Sequence, residues 1–296
     1  MRQNSFVMSD NYFTNNLRQS TGMRIFIFAI IFLVCTLLGA AVTALAGLGS
    51  DLMLKLAQGI SSILMFVVPP IVYYIITRNE KPMKALGFRK VASPAWALLL
   101  AGVVLMAVSL PVTNQLGTWN EGLKLGGAFE KLETLIKNLE DSAKAITERM
   151  LNVNTFGGML LNLIVIALIP AIGEELTFRG VLQQSLTRRL KNPHVAIILS
   201  AAIFSFIHFQ FYGFLSRMFL GMLLGYMFYI TGSLWTSILM HFLNNGTVVV
   251  LYYLNNKNII DIDVEHFGAS PNAWLVVASA VLTVALIVWS WWRKNR

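Results

Sequence analysis

The stretch Ile169-Pro-Ala-Ile-Gly-Glu-Glu-Leu-Thr-Phe-Arg-Gly180 decides how the chain is read. It closes an apolar run that starts near Phe156 and otherwise reads as membrane-spanning. Glu174 and Glu175 stand at its end. An ionisable group at membrane depth costs on the order of 2.5–3.5 kcal/mol by insertion scales. A sequence carries that cost where the group is paired or does chemistry. Arg179 follows Glu175 by four residues, on the same helical face and in the favourable acid-before-base order. Its guanidinium cannot shed its charge, so Glu175 is expected to be occupied. Glu174 meets Phe178 on that spacing and is left as the carboxylate without a cation.

Composition sets the wider frame. The chain has 296 residues, 56% hydrophobic and 12% charged, with a mean hydropathy of +0.65. A soluble domain carries about 25% charged residues, so the expected fold is an all-α polytopic membrane protein in one bundle. Continuous apolar runs, not alternating ones, argue against a closed β-barrel. The single Cys35 leaves no disulfide framework and no Cys-based metal site. A net charge of +9 would suggest nucleic acid in a soluble protein. Here Lys and Arg are read as orientation signals beside a lipid bilayer, and no nucleic-acid partner is expected.

Eight apolar runs follow in order, at about Ile25–Leu48, Gly59–Ile76, Ala92–Val112, Phe156 to the glutamates, Pro193–Phe209, Phe214–Ile230, Leu234–Leu254 and Ala273–Trp291. The first is too long for a signal-peptide core and reads as a retained helix. Pro69-Pro70 should break or kink the second, since neither has an N–H. Gly221 and Gly225 give a small-xxx-small pattern in the sixth, which speaks of helix packing. Residues 1–22 read as a cytoplasmic N-terminal tail, and 23–296 as a single transmembrane helical domain with a catalytic core at 156–255. The water-facing segment 116–152 carries Leu132, Leu135, Ile136, Leu139, Ala143, Ile146 and Met150 at helical spacing. It is an amphipathic helix, either a connector on the membrane or bundle surface or a lid. Basic residues crowd the segments on the side of the termini, such as Arg24, Lys84, Arg89, Arg188, Arg189, Lys191 and Arg293. Acidic residues concentrate on the other side, so both termini are expected in the cytoplasm.

The polar groups within the spans fall in the second half of the chain: Glu174, Glu175, Arg179, His208, His241, Asn244 and Asn245. Glu174 and His208 each lie 17 residues from Lys191, at the tip of a hairpin. At about 1.5 Å per residue they stand level if both arms are continuous helix. His241 matches their height if that hairpin projects beyond the membrane. His241 and Asn245 share a face, Phe204 can brace the His208 ring, and Asn244 points elsewhere. A poorly solvated carboxylate near an imidazole can take a proton from water. A second imidazole and an amide N–H can stabilise an oxyanion. The set suits hydrolysis of an amide by activated water, and no Ser or Cys nucleophile signature or phosphate loop accompanies it. The competing readings are a proton-coupled membrane transporter and a non-enzymatic membrane scaffold held by polar packing. Transporters often show duplicated halves, whereas here the polar set lies in one half.

Glu174-Glu175-Leu-Thr-Phe-Arg179, Phe204-Ser-Phe-Ile-His208 and His241-Phe-Leu-Asn-Asn245 resemble, in order, the three motifs of the CAAX protease and bacteriocin-processing family, which includes the type II CAAX prenyl endopeptidases. The match spans 170–246. It implies an intramembrane endopeptidase in which Glu174 and His208 activate water, His241 and Asn245 stabilise the oxyanion, and Glu175, Arg179 and Phe204 support the site. Its partners would be a peptide or lipidated protein substrate and the lipid bilayer. Both metal-dependent and metal-free mechanisms are argued for the family. Glu174, His208 and His241 could together ligate Zn2+, yet no His-Glu-xx-His helix is present. The expectation is chemistry without a metal cofactor.

Overall fold

The computed structural model describes residues 21–46, 49–77, 82–91, 95–123 and 126–294. The proposed N-terminal tail lies outside the described residues except for Thr21 and Gly22, which open the first helix. Among the described residues the regular elements are helices, with no strand. In chain order they are α1 (Thr21–Ala46), α2 (Asp51–Thr77), the short α3 (Pro82–Leu86), α4 (Ala95–Val108) and α5 (Leu110–Glu121). Then come α6 (Glu130–Leu151), α7 (Phe156–Leu190), α8 (Pro193–Phe206), α9 (Phe214–Thr231), α10 (Leu234–Asn256) and α11 (Ala273–Lys294). Among the described residues, helices α1, α2, α7, α9, α10 and α11 are each long and apolar enough to cross a membrane, and α4 with α5, bent by 43°, adds a seventh if the pair is taken as one span. The remaining apolar run is α8, whose 14 residues rise about 21 Å. The protein is an integral multi-pass membrane protein.

Prolines inside the spans do not break them. Pro70 cannot donate to the carbonyl of Phe66, four residues back, and its ring would crowd that carbonyl. The chain answers with a π-helical segment at Ile63–Val67, just ahead of the Pro pair. The freed Phe66 carbonyl accepts a bond from Thr177 Oγ1 on α7 at 2.9 Å. Pro170 is treated alike, with a π-helical segment at Leu163–Leu168 before it. So α2 runs through Pro69-Pro70 as one helix, where the sequence suggested a break. The α4–α5 bend is satisfied by α11. Ser279 Oγ donates to the Val108 carbonyl at 2.6 Å and accepts from the Val112 N–H at 3.3 Å.

Helix α7 is the central rod. Its 35 residues span about 52 Å, well beyond a hydrocarbon core of about 30 Å. Gln184 Nε2 donates to the carbonyls of Ala85 and Leu86, while the Leu234 N–H donates to Gly87. The start of α10 is therefore level with Gln184. The last turn and a half of α7, roughly 9 Å, projects past it, which is the offset that brings His241 to the height of the glutamates. Gly221 and Gly225 do pack helices. A Cβ at Gly221 would lie 3.0 Å from the Ala201 Cβ, and one at Gly225 2.8 Å from Gln183 Oε1.

Helix α6 does not bury its apolar stripe. Leu132, Leu135, Leu139 and Ile146 are exposed, and Met150 at its end is buried. Its charged side faces the bundle instead. Glu140 Oε2 accepts from the Tyr212 N–H at 3.0 Å, Lys144 meets Glu265 at 2.8 Å and Arg149 meets Asp51 at 2.7 Å. A stripe turned away from the bundle fits a helix lying on a membrane surface. The Glu140 contact ties it to the loop that follows His208.

Candidate active site

Glu174 and Glu175 sit where α7 passes from ordinary helix into a π-helical segment, Leu176–Gln183. Such wide turns leave carbonyls to be satisfied by side chains. The Phe178 carbonyl accepts from Ser200 Oγ, and the Gly180 carbonyl from Tyr74 Oη and Gln184 Nε2. Adjacent residues on a helix diverge by roughly 100°, so the two carboxylates face different neighbours.

Glu175 is fully buried, and its Oε1 takes two donors. Arg179 Nη1 donates at 2.6 Å and His241 Nδ1 at 2.9 Å. Arg179 is 1% exposed. Its Nη2 donates to the Gly221 carbonyl at 2.8 Å, and its guanidinium lies 5.2 Å from the Phe204 ring centroid. The expected Glu175–Arg179 pair is present, and it reaches further than the spacing suggested, into α9 and α10.

Among the described residues Glu174 has no Lys or Arg ion pair of its own. Its Oε2 lies 3.7 Å from His241 Nε2. His241, 2% exposed, thus spans the two glutamates with one ring nitrogen toward each. Because a carboxylate paired to arginine only accepts, Nδ1 carries the proton, and Nε2 is the nitrogen turned to Glu174.

His208 lies just past the end of α8, which stops at Phe206, and not on continuous helix. Phe209, next to it, has φ 52°. The left-handed region is costly for a bulky side chain and recurs at working sites. His208 Nδ1 donates to the Phe204 carbonyl at 2.7 Å, so its Nε2 is free for the site. Phe204 braces the ring as expected, at 5.0 Å and edge-on, and stands 6.0 Å from His241. The Phe66, Phe178 and Phe204 side chains form an aromatic bed under these groups.

Asn245 lies one turn beyond His241 on α10, half-buried. Asn244 was expected to point away. Instead its Nδ2 donates to Asn245 Oδ1 at 3.1 Å. Two cavities flank this end of the site. One, of about 560 Å³, lies among α4, α5, α10 and the 264–267 segment, and Asn244 forms part of its wall. The other, of about 850 Å³, lies between α6 and the 210–213 loop. Tyr212, Gly213, Glu121 and Glu265 line both.

Glu174 and Glu175 thus meet at His241, Arg179 pairs with Glu175, and Phe204 packs on both His208 and His241, whereas His208 lies off the helix and Asn244 bonds to Asn245. Sequence reading missed Thr177, Ser200 and Glu140, and took Gly221 for helix packing alone. All four act through backbone contacts, which no motif announces. Among the described residues no group of three His, Cys, Asp or Glu side chains is arranged to hold a metal ion, Glu174, His208 and His241 included.

Residues 156–247 match the family model described as type II CAAX prenyl endopeptidase Rce1-like. The match covers that segment alone, and what it shows is a similarity to the family. The segment holds every motif residue named above, from Glu174 to Asn245, and supports a CAAX-protease kind of function. No curated protein and no solved structure matches the chain.

Proposed function

We propose that the protein is an intramembrane endopeptidase that cleaves membrane-associated polypeptides, prenylated ones among them, by activating water without a metal. The observation that carries this reading is Glu174. It is a carboxylate 8% exposed, with no Lys or Arg ion pair among the described residues, 3.7 Å from an imidazole whose far nitrogen is anchored by a second carboxylate. That anchoring is unneeded for a scaffold, where the Glu175–Arg179 pair would suffice. A proton relay needs a continuing chain of titratable groups in other spans, and the polar set ends at α10.

In the reaction, water held at Glu174 gives that carboxylate a proton as its oxygen adds to the peptide carbonyl. His208 Nε2, oriented by the Phe204 carbonyl, relays the proton. The oxyanion is met by Asn245 Nδ2–H and by the edge of the His241 ring, which Glu175 holds in place. Collapse of the tetrahedral intermediate breaks the C–N bond, and the proton passes to the leaving amine. The products are a carboxylate and a free amine, so one water is consumed. The working unit is 156–255, set within a 23–296 bundle whose termini face the cytoplasm.

The test is cleavage of a library of lipid-anchored peptides, farnesylated and unmodified, by purified protein in nanodiscs, read by mass spectrometry. Glu174→Gln should lower cleavage by about 10²–10⁴-fold while the thermal transition stays put. Chelation should leave the wild-type rate unchanged, and elemental analysis should find no stoichiometric zinc. Wild-type rates from Glu174→Gln would overturn the reading. Activity lost with a removable zinc would overturn its metal-free part.

A further inference from the structure

Asn244 is the residue that the helical facing rule sets aside. It stands next to Asn245, roughly 100° round the helix, yet the two side chains share a hydrogen bond. A carboxamide has one acceptor oxygen and one NH2 donor. Asn244 Nδ2 donates to Asn245 Oδ1 at 3.1 Å. With its oxygen engaged, Asn245 has only Nδ2–H left to offer its surroundings. The reverse orientation would put Asn245 Oδ1, an acceptor, against a developing oxyanion, which is repulsive.

We propose that Asn244 is a positioning residue for the reaction: it fixes the amide plane of Asn245 with the donor end toward the reacting carbonyl. The inference rests on the endopeptidase reading above, in which Asn245 is an oxyanion donor. Position supports it. Asn244 is half-buried and lines the 560 Å³ cavity together with Met106, Tyr212, Leu243 and Val248. This bond holds the Asn245 amide oxygen. A donor that must meet charge only in the transition state works best when its orientation is set beforehand.

The experiment uses whichever library peptide the wild-type protein cuts fastest. Asn244→Ala removes the bond. Asn244→Asp keeps the volume but offers only acceptors when ionised, so it draws Asn245 Nδ2–H away from the site. Removing an oxyanion donor outright costs about 10²–10³ in rate, so misorienting it should lower kcat by roughly 10- to 100-fold. KM should not move, and Asn244→Asp should be at least as impaired as Asn244→Ala. On an Asn245→Ala background, Asn244→Ala should add nothing, because a positioning residue has no effect without the group it positions. A purely structural role would instead give additive losses.

Val103→Phe narrows the same cavity from α4, away from the amide pair on α10, and should act on KM. Retained kcat in Asn244→Asp, additive losses in the double variant, or an equal kcat loss from Val103→Phe would each overturn the proposal. Glu174→Gln in the same assay separates the two claims. If it is dead while the Asn244 variants keep kcat, only this inference fails. If it cuts normally, the endopeptidase reading itself fails.

Discussion

Replacing Arg179 by methionine should unfold the protein far more readily than any contact count suggests, and a second substitution should repair the fold without repairing the chemistry. Arg179 is 1% exposed and Glu175 fully buried. Among the described residues Glu175 Oε2 has no hydrogen-bond partner, and Oε1 depends on Arg179 and His241. Arg179→Met leaves a buried carboxylate with one neutral donor, and strips the Gly221 carbonyl of its own. Breaking a buried ion pair from one side costs about 3–5 kcal/mol, a large share of a typical total of about 5–15 kcal/mol. Removing both charges is different. Glu175→Leu with Arg179→Met eliminates the desolvation penalty along with the attraction, and such swaps are often neutral or stabilising by about 1–4 kcal/mol. The double variant should therefore regain the parent's thermal transition in detergent. It should still be inactive, because Nδ1 of His241 has lost the acceptor that sets its tautomer. An Arg179→Met protein within about 1 kcal/mol of the parent would refute the reasoning. So would a double variant that cleaves normally.

Two further outcomes follow from particular contacts. Thr177→Val removes the donor to the Phe66 carbonyl that Pro70 cannot supply, and should cost about 1–3 kcal/mol by thermal unfolding, while Thr177→Ser, which keeps the hydroxyl, should cost little. In the 258–272 loop, Asp263 holds the His266 imidazolium above the usual imidazole range through a side-chain bond, and His266 in turn holds the Asp263 carboxyl below its usual range. The raised histidine contributes fully below its unfolded pKa and is lost as pH rises through the folded value, whereas the depressed aspartate contributes above its unfolded pKa and is lost as pH falls through the folded one. Hydrogen-exchange protection of this loop should thus be greatest from mildly acidic pH up to the ordinary histidine range and fall on both sides, and His266→Ala should flatten the alkaline fall.

The site was more legible in the sequence than its surroundings, for a physical reason. Glu174, Glu175, Arg179, His208, His241 and Asn245 are charged or strongly polar in spans where such groups are costly, so each stands out against an apolar background. Four-residue spacing then paired Glu175 with Arg179 correctly. What spacing could not show was any partner on another helix. The engagement of His241 by both glutamates, and of Gly221 by Arg179, depends on tertiary offsets of a few ångströms. Nor could it show that Phe206 ends α8 or that π-helical segments absorb Pro69, Pro70 and Pro170. A π-helical segment changes the hydrogen-bond register by one residue while leaving hydropathy untouched. The α6 stripe was read correctly as amphipathic, but periodicity does not say which side meets the bundle. Here the charged side does, through Glu140, Lys144 and Arg149.

The spacing of two adjacent carboxylates also explains why the site needs its crowded setting. Neighbours on a helix point roughly 100° apart, and a single group can meet both only if it is planar, has a functional atom at each end and approaches side-on. Imidazole satisfies this, and His241 meets Glu175 at 2.9 Å and Glu174 at 3.7 Å from its two nitrogens. The unequal distances divide the labour. The shorter contact fixes the ring, and the longer one leaves the second nitrogen and the second carboxylate free to change partners. That division survives only while α7 cannot rotate. A turn of about 20° at a side chain some 6 Å from the axis would shift a carboxylate by about 2 Å, enough to exchange the two distances. Three backbone-level approaches oppose such a turn: Gly173 against Phe66, Gly180 against Leu86, and Gln183 against Gly225. At each, an added Cβ would come within 2.8–2.9 Å of a neighbouring side chain. Close packing far from the reacting atoms is therefore part of what distinguishes Glu174 from the otherwise identical residue beside it.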